Sequence, residues 1–112
     1  MQKDDLVRLR HMLDAAREAL SFSSGKSRAD LNSDRMLVLS LVKDIEIIGE
    51  AASKVSRDTR KLSEIPWQDI IDMRNHLTHV YFDIDLDIVW DTILNDLPPL
   101  VEKLEKIVPS LE

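Results

Sequence analysis

The strongest constraint on this chain is a line of apolar residues at helical spacing. Leu37, Leu41, Ile45, Ile48, Ala52 and Val55 recur at steps of three and four, which predicts one long helix from about Ser33 to about Ser56. Val38, Val42 and Ile47 widen its apolar face. A face that wide needs neighbours on more than one side, so this helix is expected at the centre of a bundle or against a partner as well. Gly49 and the Ala51-Ala52 pair would let another backbone approach closely. Lys43, Glu46, Glu50 and Lys54 form a charged line along the same helix, either a solvated ion-pair ladder or a line in which Glu50 touches a polar site.

The remaining segments follow the same pattern. Leu6, Leu9, Leu13, Ala16 and Leu20 mark an amphipathic helix from Asp4 to about Ser21, with Asp4 or Asp5 available to accept at its start and Ser23-Ser24-Gly25 as a stop. A polar connection follows, and Asn32, Ser33 or Asp34 can cap the long helix. Arg57 to Glu64 reads as a charged linker. Ile65-Pro66-Trp67 then opens a third helix, because proline suits the first helical turn. An aspartate after Phe82 can cap a fourth helix from Leu86 to about Asn95. Asp96-Leu97-Pro98-Pro99 is expected to break the chain, and Leu100, Leu104, Ile107 and Val108 give a short last helix ending at Pro109.

Length and composition agree with a single all-α domain over residues 1–112, an up-and-down bundle of four to five helices. At 112 residues and 44% hydrophobic content, the chain can bury one core unaided. Two glycines and few aromatics fit poorly with a β-sandwich, which needs turn residues about every 8 to 12 positions. Without cysteine there are no disulfides and no thiolate metal sites. No apolar run approaches the roughly 20 residues that span a bilayer, and no signal-peptide pattern opens the chain. The expected location is therefore the cytoplasm. A net charge of −6 argues against a broad phosphate-binding surface but leaves room for a small local one.

One stretch departs from ordinary amphipathic helix: Arg74-Asn75-His76-Leu77-Thr78-His79-Val80-Tyr81. Arg74 continues the apolar stripe of Trp67, Ile70 and Ile71. On an ideal helix Arg74 and Tyr81 lie about 20° apart, whereas Arg74 and His79 differ by about 140°. The arginine and the histidine would converge only if the helix ended or distorted near His79, or if two copies met. Together they suit metal-independent RNA cleavage: histidine moves a proton near neutral pH, and arginine offers a fixed charge to phosphate oxygens. Asn75 can donate to the same phosphate, and Tyr81 offers a hydroxyl. Spacing is equally compatible with a structural role, in which Arg74 is an ion-pair partner of Glu46, Glu50 or an aspartate and His79 packs.

A metal site is the third reading. Asp83, Asp85 and Asp87 resemble a calcium loop, but Ile88 and Leu94 stand where glycine and glutamate are required. His76 and His79 share helical spacing suited to zinc, yet no third ligand sits at a known spacing. The aspartates are better explained as a helix cap and first-turn charges.

Arg74-Asn75-x-x-x-His79-x-Tyr81 resembles the Arg-x4-His-x-Tyr motif of the HepT-like proteins in the HEPN superfamily (higher eukaryotes and prokaryotes nucleotide-binding). The resemblance extends to Arg10 through Ala16, Ile47 through Ala52, Ile65-Pro66-Trp67, Tyr81 through Asp85, and Val89-Trp90. It implies a homodimeric all-α bundle whose two motifs face each other across a cleft. It also implies a metal-independent, cofactor-free ribonuclease toxin, paired with a minimal MntA-like nucleotidyltransferase antitoxin that transfers AMP from ATP to the motif tyrosine. Arg74 and His79 would then be catalytic, Asn75 their polar support, and Tyr81 the AMP acceptor. Glu50 and His76 are candidates to line the cleft.

Two other functions compete with the RNase. One is a non-catalytic subunit that presents a nucleotide or polynucleotide to a nucleotidyltransferase, and the other is a purely structural helical dimer.

Overall fold

The apolar stripe at residues 37–55 places one helix at the middle of the structure. The computed structural model describes residues 2–79 and 83–108, without the side chains of residues 78 and 79. The expected modification site Tyr81 lies outside the described residues, as do Val80 and Phe82. Among those described there is no strand, and the elements are α1 (Lys3–Ser23), α2 (Asp30–Ser33), α3 (Arg35–Ser53), α4 (Arg57–Arg60), α5 (Trp67–His79), α6 (Leu86–Asp91), a π-helical segment (Thr92–Asp96) and α7 (Leu97–Ile107). α3 packs on α1 along one side and on α5 along another, and α7 closes against α1. Leu9, Leu41 and Leu104 are fully buried where these helices meet. Replacing any of them by alanine should cost about 2–5 kcal/mol.

Capping follows the sequence at two helix starts. The Asp34 carboxylate accepts from the Leu37 N–H at 3.0 Å and starts α3, and Asp85 accepts from the N–H groups of Asp87 and Ile88 to start α6. α1 is different. Its N-cap is Gln2 with no side-chain hydrogen bond, and Asp5, expected as a possible cap, is buried instead. The Asp5 carboxylate accepts from the Ser56 N–H, the Ser56 hydroxyl and the Thr59 hydroxyl, at 3.0, 2.6 and 2.6 Å. It thereby ties the start of α1 to the α3–α4 junction.

The long helix ends at Ser53, short of Ser56, and the charged linker contains the short α4, capped by Ser56. Arg60 accounts for both features. Its guanidinium donates to the carbonyls of Val55, Ala52 and Ser53 and satisfies the end of α3. It also sits over the Trp67 ring, 5.9 Å from the centroid, while the Trp67 indole N–H donates to the Arg60 carbonyl.

The expected break at Asp96–Pro99 does not occur. α6, the π-helical segment and α7 run on from Leu86 to Ile107, with the prolines in the first turn of α7. Pro98 and Pro99 lack the N–H groups that Leu94 and Asn95 would use in a regular helix. The chain widens by a residue instead of stopping, and the Leu97 N–H donates to the Thr92 carbonyl five positions back.

Candidate active site

α5 carries the motif. Pro66 precedes it, and α5 is helical from Trp67 to His79. No distortion separates Arg74 from His79, so the backbone holds the two positions about 140° apart on the helix. Nothing further is described for His79. Asn75 and His76 are exposed. Arg74 is half-buried, and its side chain retains 27% of its surface, so the guanidinium is both supported from behind and open to a ligand.

The support comes from α3. Gly49 is buried, and a Cβ built there would overlap the Cβ of Arg74 and lie 2.8 Å from its Cγ and 3.1 Å from the Ile70 carbonyl oxygen. The missing side chain at Gly49 is therefore what lets the stem of Arg74 lie flat on α3. One residue on, the Glu50 carboxylate meets the Arg74 guanidinium at 3.3 Å and the Lys54 ammonium at 3.1 Å. Lys54, by hydrogen bond and by charge, holds the Glu50 carboxyl below its ordinary value, with smaller pulls from Arg74 and Arg8. Glu50 stays ionised and bridges two cations. The ladder on α3 and the motif on α5 thus meet, and Glu50 touches the polar site.

Around this pair lies an open groove of about 350 Å³, lined by Arg8, His11, Lys43, Glu46, Ile47, Glu50, Ala51, Lys54 and Arg74. Four cations and a histidine face two carboxylates there, in a chain whose net charge is −6. Sequence reasoning missed Arg8 and His11. They sit three apart on one face of α1, but only the packing of α1 on α3 brings that face beside Arg74. A second, mainly apolar cavity of about 230 Å³ lies between α3, α5 and α7, with Ile45, Ile70, Met73 and Leu100 among its walls and none of the motif's polar side chains.

The aspartates after the motif have structural partners: Asp85 caps α6, and Asp87 pairs with Arg28 at 2.7 Å. Among the described residues, no three His, Asp or Glu side chains converge as a metal cage.

The HepT-like ribonuclease family model matches residues 12–107, which includes α3, the whole of α5 and the motif. The chain belongs to the HepT-like ribonuclease family. It is 35% identical over 101 residues to a "putative RNase" of Caldanaerobacter subterraneus subsp. tengcongensis, covering 89% of this chain and 90% of that one. It is 37% identical over 79 residues to a "probable ribonuclease HepT" of Thermococcus cleftensis, covering 70% of this chain and 72% of that one. A Methanocaldococcus jannaschii protein named as a gamma-glutamylcyclotransferase and putative RNase is 32% identical over 113 residues, and there the chain spans only 51% of its relative's length. No solved structure matches. Family membership agrees with the resemblance read from the motif.

Proposed function

We propose that this chain is a metal-independent endoribonuclease, the toxin of a HepT/MntA-type pair, working in the cytoplasm. The observation that carries the reading is the Arg74 guanidinium, seated on Gly49 and presented in a cationic groove of a HepT-like chain. In the proposed reaction an imidazole of His79 takes the proton from an RNA 2′-hydroxyl, and the 2′-oxygen attacks the adjacent phosphorus. The bond from phosphorus to the 5′-oxygen breaks, and that oxygen leaves with a proton, giving a 2′,3′-cyclic phosphate and a 5′-hydroxyl. Arg74 offsets the charge that builds on the phosphoryl oxygens, and Asn75 donates to them.

The unbroken α5 supports a homodimer, because Arg74 and His79 of one helix face different directions and a second copy would supply the missing partner. Glu50 is the residue a substrate phosphate must displace from Arg74, and Lys54 remains to hold it. Regulation would fall on Tyr81, about 20° around the helix from Arg74 if α5 were to continue. There a MntA-like nucleotidyltransferase would transfer AMP to the phenolic oxygen and release pyrophosphate from ATP.

The test is cleavage of RNA by purified, AMP-free protein in EDTA, with cutting abolished in Arg74→Ala and His79→Ala variants that keep the wild-type melting temperature. An AMP-free wild type that leaves RNA intact would overturn the proposal. Regulation is read separately by intact mass. Incubation with the nucleotidyltransferase and ATP should add AMP to wild type and not to Tyr81→Phe.

A further inference from the structure

The groove extends well beyond the motif, and its distant cations have no role in the cleavage chemistry. Lys43 and Lys54 stand about 16 Å apart along α3, at helical rise, with Arg8 and His11 of α1 facing the space between α1 and α3. Lys43 and Lys54 are exposed and Arg8 half-buried. Arg8 and Lys43 have no ion-pair partner among the described residues, whereas Lys54 and Arg74 are both bridged by Glu50. Two cations are thus left to attract an anion at one side of the groove, and a third is coupled to the catalytic arginine. The groove is open and its floor is not apolar enough to enclose a small molecule.

We infer that Arg8 and Lys43, with His11 between α1 and α3, form a phosphate-binding track that holds the single-stranded RNA backbone flanking the scissile phosphate at Arg74. This rests on the ribonuclease reading and adds to it a binding subsite outside the motif. The track engages phosphates and reads no bases, so it fixes register along the strand and contributes affinity that depends on salt. It also accounts for substrate attraction by an acidic protein: the local surplus of positive charge draws the strand in while the acidic remainder repels it elsewhere.

The experiment measures binding of a short 2′-O-methylated RNA, which cannot be cleaved, by fluorescence anisotropy between about 50 and 200 mM salt. Arg8→Ala/Lys43→Ala is compared with wild type and with Lys26→Ala/Lys106→Ala, which removes the same charge from exposed positions outside the groove. Each neutralised phosphate contact contributes about 0.7 to the single-strand salt slope, so losing two should make the slope shallower by about 1.4. Affinity at low salt should fall on the order of tenfold, and the KM for a cleavable RNA should rise alongside it. The control pair should change neither by more than about twofold.

If wild type cuts RNA and the groove variant keeps the wild-type slope and KM, the track is overturned while the ribonuclease stands. If wild type binds RNA without cutting it and the groove variant loses the slope, the track stands and the ribonuclease reading falls. Equal losses in groove and control variants would reduce the effect to net charge and overturn the track.

Discussion

Gly49 is the residue on which the candidate site depends most directly. A methyl group there would overlap the stem of Arg74, and because both lie on packed helices neither backbone can yield cheaply. Gly49→Ala should destabilise the fold by about 1–3 kcal/mol in urea denaturation, despite alanine's better helix propensity, and should lower RNA cleavage more than an equally destabilising core variant does. Glu50 acts on the same arginine electrostatically. Glu50→Gln removes the carboxylate shared by Arg74 and Lys54, so RNA should bind more tightly, with the gain largest at low salt. Weaker binding at every salt concentration would show that Glu50 positions Arg74 instead of competing with the phosphate.

At the scale of elements, the Asp5 cluster joins α1 to the α3–α4 junction through three hydrogen bonds. Those donors hold the Asp5 carboxyl below its ordinary value, the Ser56 hydroxyl most strongly, then Thr59, against an opposing effect of burial. A depressed carboxyl stabilises the fold above its unfolded pKa, and the contribution is lost as pH falls through the folded value. Thermal melts of Asp5→Asn should therefore lose part of the wild type's acid sensitivity below about pH 4, and Asp5→Ala should cost about 2 kcal/mol at neutral pH because Ser56 and Thr59 lose their buried acceptor.

The elements also show how much the sequence disclosed. Periodicity located the long helices and named Asp34 and Asp85 among the caps, because those signals are local. α4 and the role of Arg60 were illegible, since a charged stretch becomes a helix only when its arginine finds the end of α3. The Asp96–Pro99 segment misled because proline's usual effect is to end a helix, and here the missing donors were absorbed by widening the turn. In the site, Arg74 and Gly49 were visible as residues but their contact was not. Arg8 and His11 were legible only once the α1–α3 interface was known.

For the whole molecule, the 140° separation turns into an assembly prediction. If Arg74 of one copy works with His79 of another, mixing the inactive Arg74→Ala and His79→Ala proteins under conditions of subunit exchange should restore about a quarter of wild-type cleavage, since half the dimers are mixed and each of those keeps one intact site. No recovery, with exchange verified by mass, would place both groups in one subunit. Stability across pH is a second molecule-wide property. Burial, together with Glu18 alongside, pushes the Asp44 carboxyl in the core up to about 7. The folded chain holds that proton while the unfolded chain releases it, so stability should decline from about pH 4 to about pH 7 and then level off. Asp44→Asn should flatten that decline in thermal melts.

The π-helical segment at Thr92–Asp96 makes the rod from Leu86 to Ile107 one residue longer than its core contacts would need in a regular helix. That extra residue works as a phase correction between two apolar stripes, Val89 with Ile93 before it and Leu97, Leu100 and Leu104 after it. Deleting Asn95 alone would rewind the segment and turn everything downstream by about 100°, swinging Leu100 and Leu104 away from α1. The C-terminal helix is thus held in register by an irregularity, and this stretch tolerates changes of residue more readily than changes of length.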